Sequence, residues 1–190
     1  MAYDALGRLA EDKGASGKTW TSARAALSSG HEVSMTTAKG FVSRYTVEPQ
    51  ATGELKRVIT SPWGSVSGIL RRTDGSTRVE TADGTVREGT KTADPRWGAA
   101  AALPAGTVTL GSGLTRVTGV TRQATTADAS NPMSLLTETT TFTVNGRNYV
   151  MVYSSATRTV EEITPGRGGW GRRWTAGGGW WKSDTGRWRH

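Results

Sequence analysis

Between residues 54 and 98 the chain is cut into runs too short for helices. ELKRVIT, SVSGILRRT, STRVETA and TVREGTKT are separated by Pro62-Trp63-Gly64, Asp74-Gly75 and Asp83-Gly84. Asp-Gly between alternating runs predicts hairpins in which both turn positions take positive φ. In Ser76–Ala82, Arg78 and Glu80 share one face, while Thr77, Val79 and Thr81 share the other. A charged face backed by a β-branched face is the pattern of a half-exposed strand. Such punctuation constrains this region to short antiparallel strands.

Composition extends that conclusion to the whole chain. Twenty-five glycines supply many turns, and threonine, which favours a pleated surface, is abundant. Only 35% of the 190 residues are hydrophobic, which suits a two-faced sheet with one wet side. The length suffices for one domain. The absence of cysteine removes disulfide scaffolds and cysteine-based zinc sites. No apolar run approaches the roughly 20 residues of a transmembrane helix, and residues 1–25 lack the pattern of an export signal. The net charge of +8 is concentrated at the end, where residues 165–190 carry six Lys and Arg against Asp184 alone. The body is only mildly basic, so charge does not by itself point to nucleic acid.

Residues 10–40 read as an irregular connector, with a short helix predicted over Thr21–Leu27. Residues 41–167 read as the hairpin region. Within it Pro49 argues against regular pairing. The alanine cluster Ala99–Leu103, between Pro95 and Pro104, is expected to lie across a sheet end. The best-defined hairpin joins Leu135–Val144 to Arg147–Ser154 through Asn145-Gly146. Residues 168–190 are almost entirely Gly, Trp, Arg, Ser and Thr, with five of the eight tryptophans and no apolar period. A disordered or out-of-frame end outweighs an arm that stacks on single-stranded nucleic acid or sits at a membrane interface.

The run Tyr3–Leu9, YDALGRL, combines an aromatic residue, an acid that can start a turn, a glycine and an arginine. Arg8 brings a fork of donors able to reach a carboxylate or carbonyl on a neighbouring strand. Tyr3, Asp4, Gly7, Arg8 and Leu9 match the signature of the Rhs/YD-repeat proteins. That family comprises large bacterial secreted or surface proteins, with relatives in toxin-complex shells and the teneurins. Gly40, Arg44, Tyr45, Gly53 and Leu55 resemble a degenerate repeat, with Glu54 where the family has Arg and no Tyr-Asp pair. Asn145, Gly146 and Arg147 lead to Tyr153 and Arg158, which align with Tyr3 and Arg8, although Ser154 replaces Asp4 and Thr157 replaces Gly7. The resemblance covers residues 1–9, the end of a repeat, and 40–167 patchily. It implies an all-β fold in which antiparallel hairpins form part of a spiral β-sheet shell. It also implies an internal piece of a longer exported chain, secreted or in the cell envelope. Its partners would be neighbouring repeats and an enclosed toxin domain. The family's self-cleaving segment is not matched, since no Gly-Leu follows Asp94-Pro95, and no toxin domain is recognisable.

No catalytic constellation emerges, so the chain is not expected to be an enzyme or to carry a cofactor or metal. Gly14–Thr19, GASGKT, lacks the first glycine of a phosphate loop, because Asp12 stands there. His31 has no nucleophile or partner histidine near it in sequence. Glu161 and Glu162 are adjacent in a strand and so point to opposite faces. Asp94 and Asp128 are expected to cap turns. Trp63 and Trp97 each precede a glycine, over which the ring is expected to pack. Two rival functions remain: a carbohydrate-binding or adhesion module using Trp63 or Trp97, and nucleic-acid binding through the basic tail.

Overall fold

The computed structural model describes residues 1–166 in full, and the backbone alone of 170–175 and 180–181. The remainder of the tail, where a disordered or out-of-frame end was expected, lies outside the described residues. The fold is all-β and antiparallel, with no helix among the described residues. The chain divides into two units, Met1–Glu88 with Val108–Leu114, and Gly89–Thr107 with the chain from Thr115 on.

The first unit contains β1 (Ala2–Tyr3), β2 (Leu9–Lys13), β3 (Thr19–Leu27), β4 (Gly30–Thr37), β5 (Val42–Pro49), β6 (Leu55–Thr60), β7 (Val66–Arg71) and β8 (Thr77–Glu80). Each pairs with the strand before it, so the sheet is a meander. β9 (Val86–Asp94), β10 (Gly98–Thr109) and β11 (Thr115–Thr126) follow. In the second unit β11 pairs with β12 (Leu135–Val144), then β13 (Arg147–Ser154), β14 (Thr159–Thr164), β15 (Trp170–Thr175) and β16 (Trp180–Trp181) in chain order.

One turn builds the first unit. In eight five-residue turns, the first residue's N–H donates to the fifth residue's carbonyl, and the fourth residue's N–H donates back to the first, at 2.8–3.1 Å. The fourth residue is always glycine: Gly7, Gly17, Gly40, Gly53, Gly64, Gly75, Gly84 and Gly113, with φ of +73° to +87°. This is a three-residue hairpin loop, a type I turn closed by a left-handed residue. It corrects the expectation for Asp74-Gly75 and Asp83-Gly84, because the extra loop residue leaves only the glycine at positive φ. The aspartates act as local acceptors instead: Asp74 Oδ1 takes the Ser76 N–H at 2.8 Å, and Asp83 Oδ1 takes the Thr85 N–H at 3.0 Å. Asn145-Gly146 is the two-residue turn expected, with φ of 48° and 77°.

Three further expectations are corrected. Thr21–Leu27 is not helical, and residues 10–40 are not a connector: they form β2, β3 and β4. β3 pairs with β4 from Trp20↔Thr37 to Leu27↔Gly30, and this cross-strand pairing overrides the helix propensity of the alanines. Gly30 fixes the close approach that follows, since a Cβ there would lie 2.0 Å from the Val47 carbonyl oxygen. Pro49 does not interrupt pairing. It ends β5 opposite Leu55, after Val47↔Arg57 and Glu48↔Lys56, at a strand terminus where its missing N–H costs little. The alanine cluster does not cross a sheet end but runs within β10.

Register separates the first unit's sheet into two unlike faces. One carries the rows Val33–Tyr45–Ile59 and His31–Val47–Arg57–Ile69–Val79. The other carries Glu32, Arg44, Glu48, Lys56, Arg78 and Glu80, linked by ion pairs such as Arg44–Glu32 at 2.7 Å and Arg78–Glu88 at 3.0 Å. Leu103, in β10, is the one apolar side chain among the described residues that is buried, and none is completely enclosed. Tyr45 and Ile59 remain 38% and 39% exposed, so within this unit no second layer of described residues covers the apolar face.

Candidate functional site

The signature residues at the start form a self-contained turn. Asp4 Oδ1 accepts the N–H groups of Leu6 and Arg8 at 2.9 Å, and Oδ2 takes Arg8 Nε at 2.7 Å. The Arg8 N–H and guanidinium hold the Asp4 carboxyl below the usual carboxylate range. Arg8 therefore closes on its own turn and does not reach across to another strand. Tyr3 is exposed and stands opposite Leu9. The aspartate of the Tyr-Asp pair thus organises five residues by itself, using both oxygens.

The other signature residues lie apart. Arg44 pairs with Glu32, and Tyr45 stands between Val33 and Ile59 on the opposite face. Gly53 is the left-handed residue of its turn, and Leu55 opposes Pro49 and Arg71. Glu54, where the family pattern has Arg, faces Arg72 at 3.9 Å. In the second unit Asn145 Oδ1 accepts the Val117 N–H at 2.7 Å and returns its own N–H to the Val117 carbonyl at 2.9 Å. Arg147 opposes Val144, and Tyr153 stands between Glu138 and Val160. Arg158 sits at φ 52° in the turn between β13 and β14. In the first turn the left-handed residue is Gly7, four after the tyrosine. Here it is Arg158, five after, so Arg158 and Arg8 are not geometric equivalents.

The most enclosed chemistry was not visible in the sequence. Asp94, at the end of β9, has a fully enclosed side chain. Its Oδ1 accepts the N–H groups of Arg96 and Trp97 at 2.8 and 2.9 Å, and its Oδ2 takes Arg122 Nη1 at 2.8 Å. Arg122 Nε lies 2.9 Å from Thr140 Oγ1 and 3.4 Å from Glu138 Oε1. Glu138 also binds Arg96, whose guanidinium lies 5.6 Å over the Trp97 ring. Burial pushes the Asp94 carboxyl up, but the two N–H groups and Arg122 outweigh it, and the group stays below its ordinary range. Asp94 caps its turn as expected, and also anchors a chain of two carboxylates and two guanidinium groups.

That cluster is electrically balanced, and both its carboxylates are engaged. Among the described residues, Arg96 Nε alone is buried without a hydrogen-bond partner. The arrangement holds three strands and a loop together and leaves no base or nucleophile free. Elsewhere, Gly14–Lys18 of the GASGKT run is one of the eight glycine turns. His31 opposes Ala26 and Val47. Glu161 and Glu162 oppose Val152 and Met151, on opposite faces. No group of three His, Asp or Glu among the described residues is placed to hold a metal. Trp63 projects at 79% exposure, with its ring centroid 5.9 Å from that of Phe41. Trp97 lies beneath the Arg96 guanidinium. No described helix is long and apolar enough to cross a membrane. No protein-family model and no curated protein sequence matches the chain.

Proposed function

We propose that the chain is a structural wall segment of a large exported Rhs/YD-repeat protein, working as β-shell and not as an enzyme. The shell would enclose a toxin domain or support contacts at a cell surface. One observation carries this: the first unit's sheet leaves an apolar face uncovered, with Tyr45 and Ile59 more than a third exposed. A sheet buries such a face against another layer, and neighbouring repeats of one long chain would provide it. The eight glycine turns are also what a spiral of hairpins requires, and the Tyr3–Leu9 turn is one of them.

The test reads the adjoining coding sequence and then expresses the chain with and without it. The expected result is a continuing frame with further Tyr-Asp and Gly-Arg-Leu turns, together with dye binding to exposed apolar surface that falls when those turns are included. Adjoining sequence without such turns, or dye binding unchanged by their inclusion, overturns the proposal.

A further inference from the structure

In an antiparallel meander, successive turns alternate between the two ends of the sheet. In the first unit, one end therefore carries the turns Gly14–Lys18, Thr37–Phe41, Ser61–Ser65, Thr81–Thr85 and Leu110–Leu114. The same end gathers the unit's most exposed aromatic residue, Trp63, with Phe41 at 46%, Leu110 at 45% and Leu114 at 69%. Phe41 and Trp63 come from neighbouring turns of this row and touch, with rings tilted by 33°. Alternate turns of a sheet stand about 10 Å apart, so these side chains form an apolar fringe.

The unpaired charges of the five turns are cationic. Lys18 and Lys39 sit in two of the turns and are exposed, and their ammonium groups make no ion pair or hydrogen bond among the described residues. Asp83 is the carboxylate of the row, and its oxygens are taken by the Thr81 hydroxyl at 2.6 Å, the Thr85 N–H at 3.0 Å and the Thr85 hydroxyl at 3.0 Å. Within the five turns, apolar rings and aliphatic chains thus stand beside free cations, and the one carboxylate, Asp83, is engaged. Sugar recognition characteristically sets a carboxylate or amide side chain beside the ring, and the Ser61–Ser65 turn carries neither. An anionic lipid interface needs an apolar wedge and basic neighbours, and an indole suits the headgroup level.

We infer that this end of the first unit docks on an anionic lipid surface, with Trp63 and Phe41 entering the interface and Lys18 and Lys39 meeting the headgroups. The experiment is co-sedimentation of the full chain with vesicles of phosphatidylcholine alone and of phosphatidylcholine containing phosphatidylserine. Binding is expected to the anionic vesicles and to weaken with salt. Lys18→Glu and Lys39→Glu should each lower the partition constant by about fivefold or more. Trp63→Ser should lower it by about tenfold. Leu6→Ser, at a turn of the opposite end and 75% exposed, should leave it unchanged. These tip residues lie outside any packed layer, so circular dichroism should show the variants folded. Absence of vesicle binding overturns the inference. So does binding that survives Trp63→Ser and both lysine changes, which would place the contact in the basic tail. Retention on a polysaccharide column, lost with Trp63→Ser and without vesicle binding, would assign the fringe to glycans and overturn it equally.

Discussion

Asp94 and Arg122, 28 residues apart in sequence, meet at 2.8 Å with the carboxylate fully enclosed and the guanidinium three-quarters enclosed. The pair ties the end of β9 to β11 and, through Glu138 and Thr140, to β12. In an antiparallel sheet with so few buried apolar side chains, this is the densest set of polar contacts that the described residues provide.

Removing one member of a buried ion pair leaves the other charge without compensation. Arg122→Met should therefore cost about 3–5 kcal/mol. Replacing both members together, Asp94→Asn with Arg122→Met, should cost less than the two single changes summed, because no isolated carboxylate is left behind. Urea denaturation of the four proteins checks this. Additive effects would show that the pair is not coupled.

The same carboxyl sets a pH dependence. Burial pushes the Asp94 carboxyl up, but the Arg96 and Trp97 N–H groups and Arg122 outweigh that push, so it titrates below its ordinary range in the folded chain. The unfolded chain therefore takes up the proton first as pH falls. The stabilisation is complete at neutral pH, begins to fade as pH falls through about 4, and is lost below the folded value. Comparing denaturation midpoints of the wild type and Asp94→Asn at pH 7 and pH 3 should show the gap narrowing at the lower pH.

Two glycines distinguish backbone strain from steric exclusion. At Gly75, φ is +80° and nothing lies within 4 Å of the point where a Cβ would stand, so Gly75→Ala meets only the left-handed penalty of about 1 kcal/mol. Gly75→Asn should cost less, since Asn tolerates that region. At Gly30 a Cβ would lie 2.0 Å from the Val47 carbonyl oxygen, so Gly30→Ala must displace β5 from β4. Thermal melts should rank Gly30→Ala well below Gly75→Ala. Equal effects would refute the close approach.

The sequence carried the strands and the turn positions clearly, for a physical reason. Turn glycines and β-branched runs act locally, so 54–98 and the Asn145-Gly146 hairpin could be read from neighbouring residues. Thr21–Leu27 misled because alanine propensity is local, whereas its pairing with β4 is set by the following turn and the partner strand. Turn geometry was less legible: Asp-Gly serves both a two-residue and a three-residue loop, and register decides between them. The ion cluster was hidden because Asp94 and Glu138 lie far apart in sequence and only β11 brings them to one place. Arg8 was misplaced for the opposite reason, since its nearest acceptor was already within its own turn.

The last strands offer a test that depends on register alone. β15 pairs with β14 so that Glu161 lies opposite Arg173 and Glu162 opposite Arg172. Opposite charges in directly opposed positions stabilise a sheet by roughly 0.2–1 kcal/mol, and like charges oppose it. Arg172→Glu with Arg173→Glu should therefore lower stability by about 1 kcal/mol, and adding Glu161→Arg with Glu162→Arg should restore most of it. Restoration in the fourfold variant, measured by urea denaturation, would make residues 170–175 a paired strand of the folded sheet, whereas a loss that the second pair of changes deepens would detach them from β14.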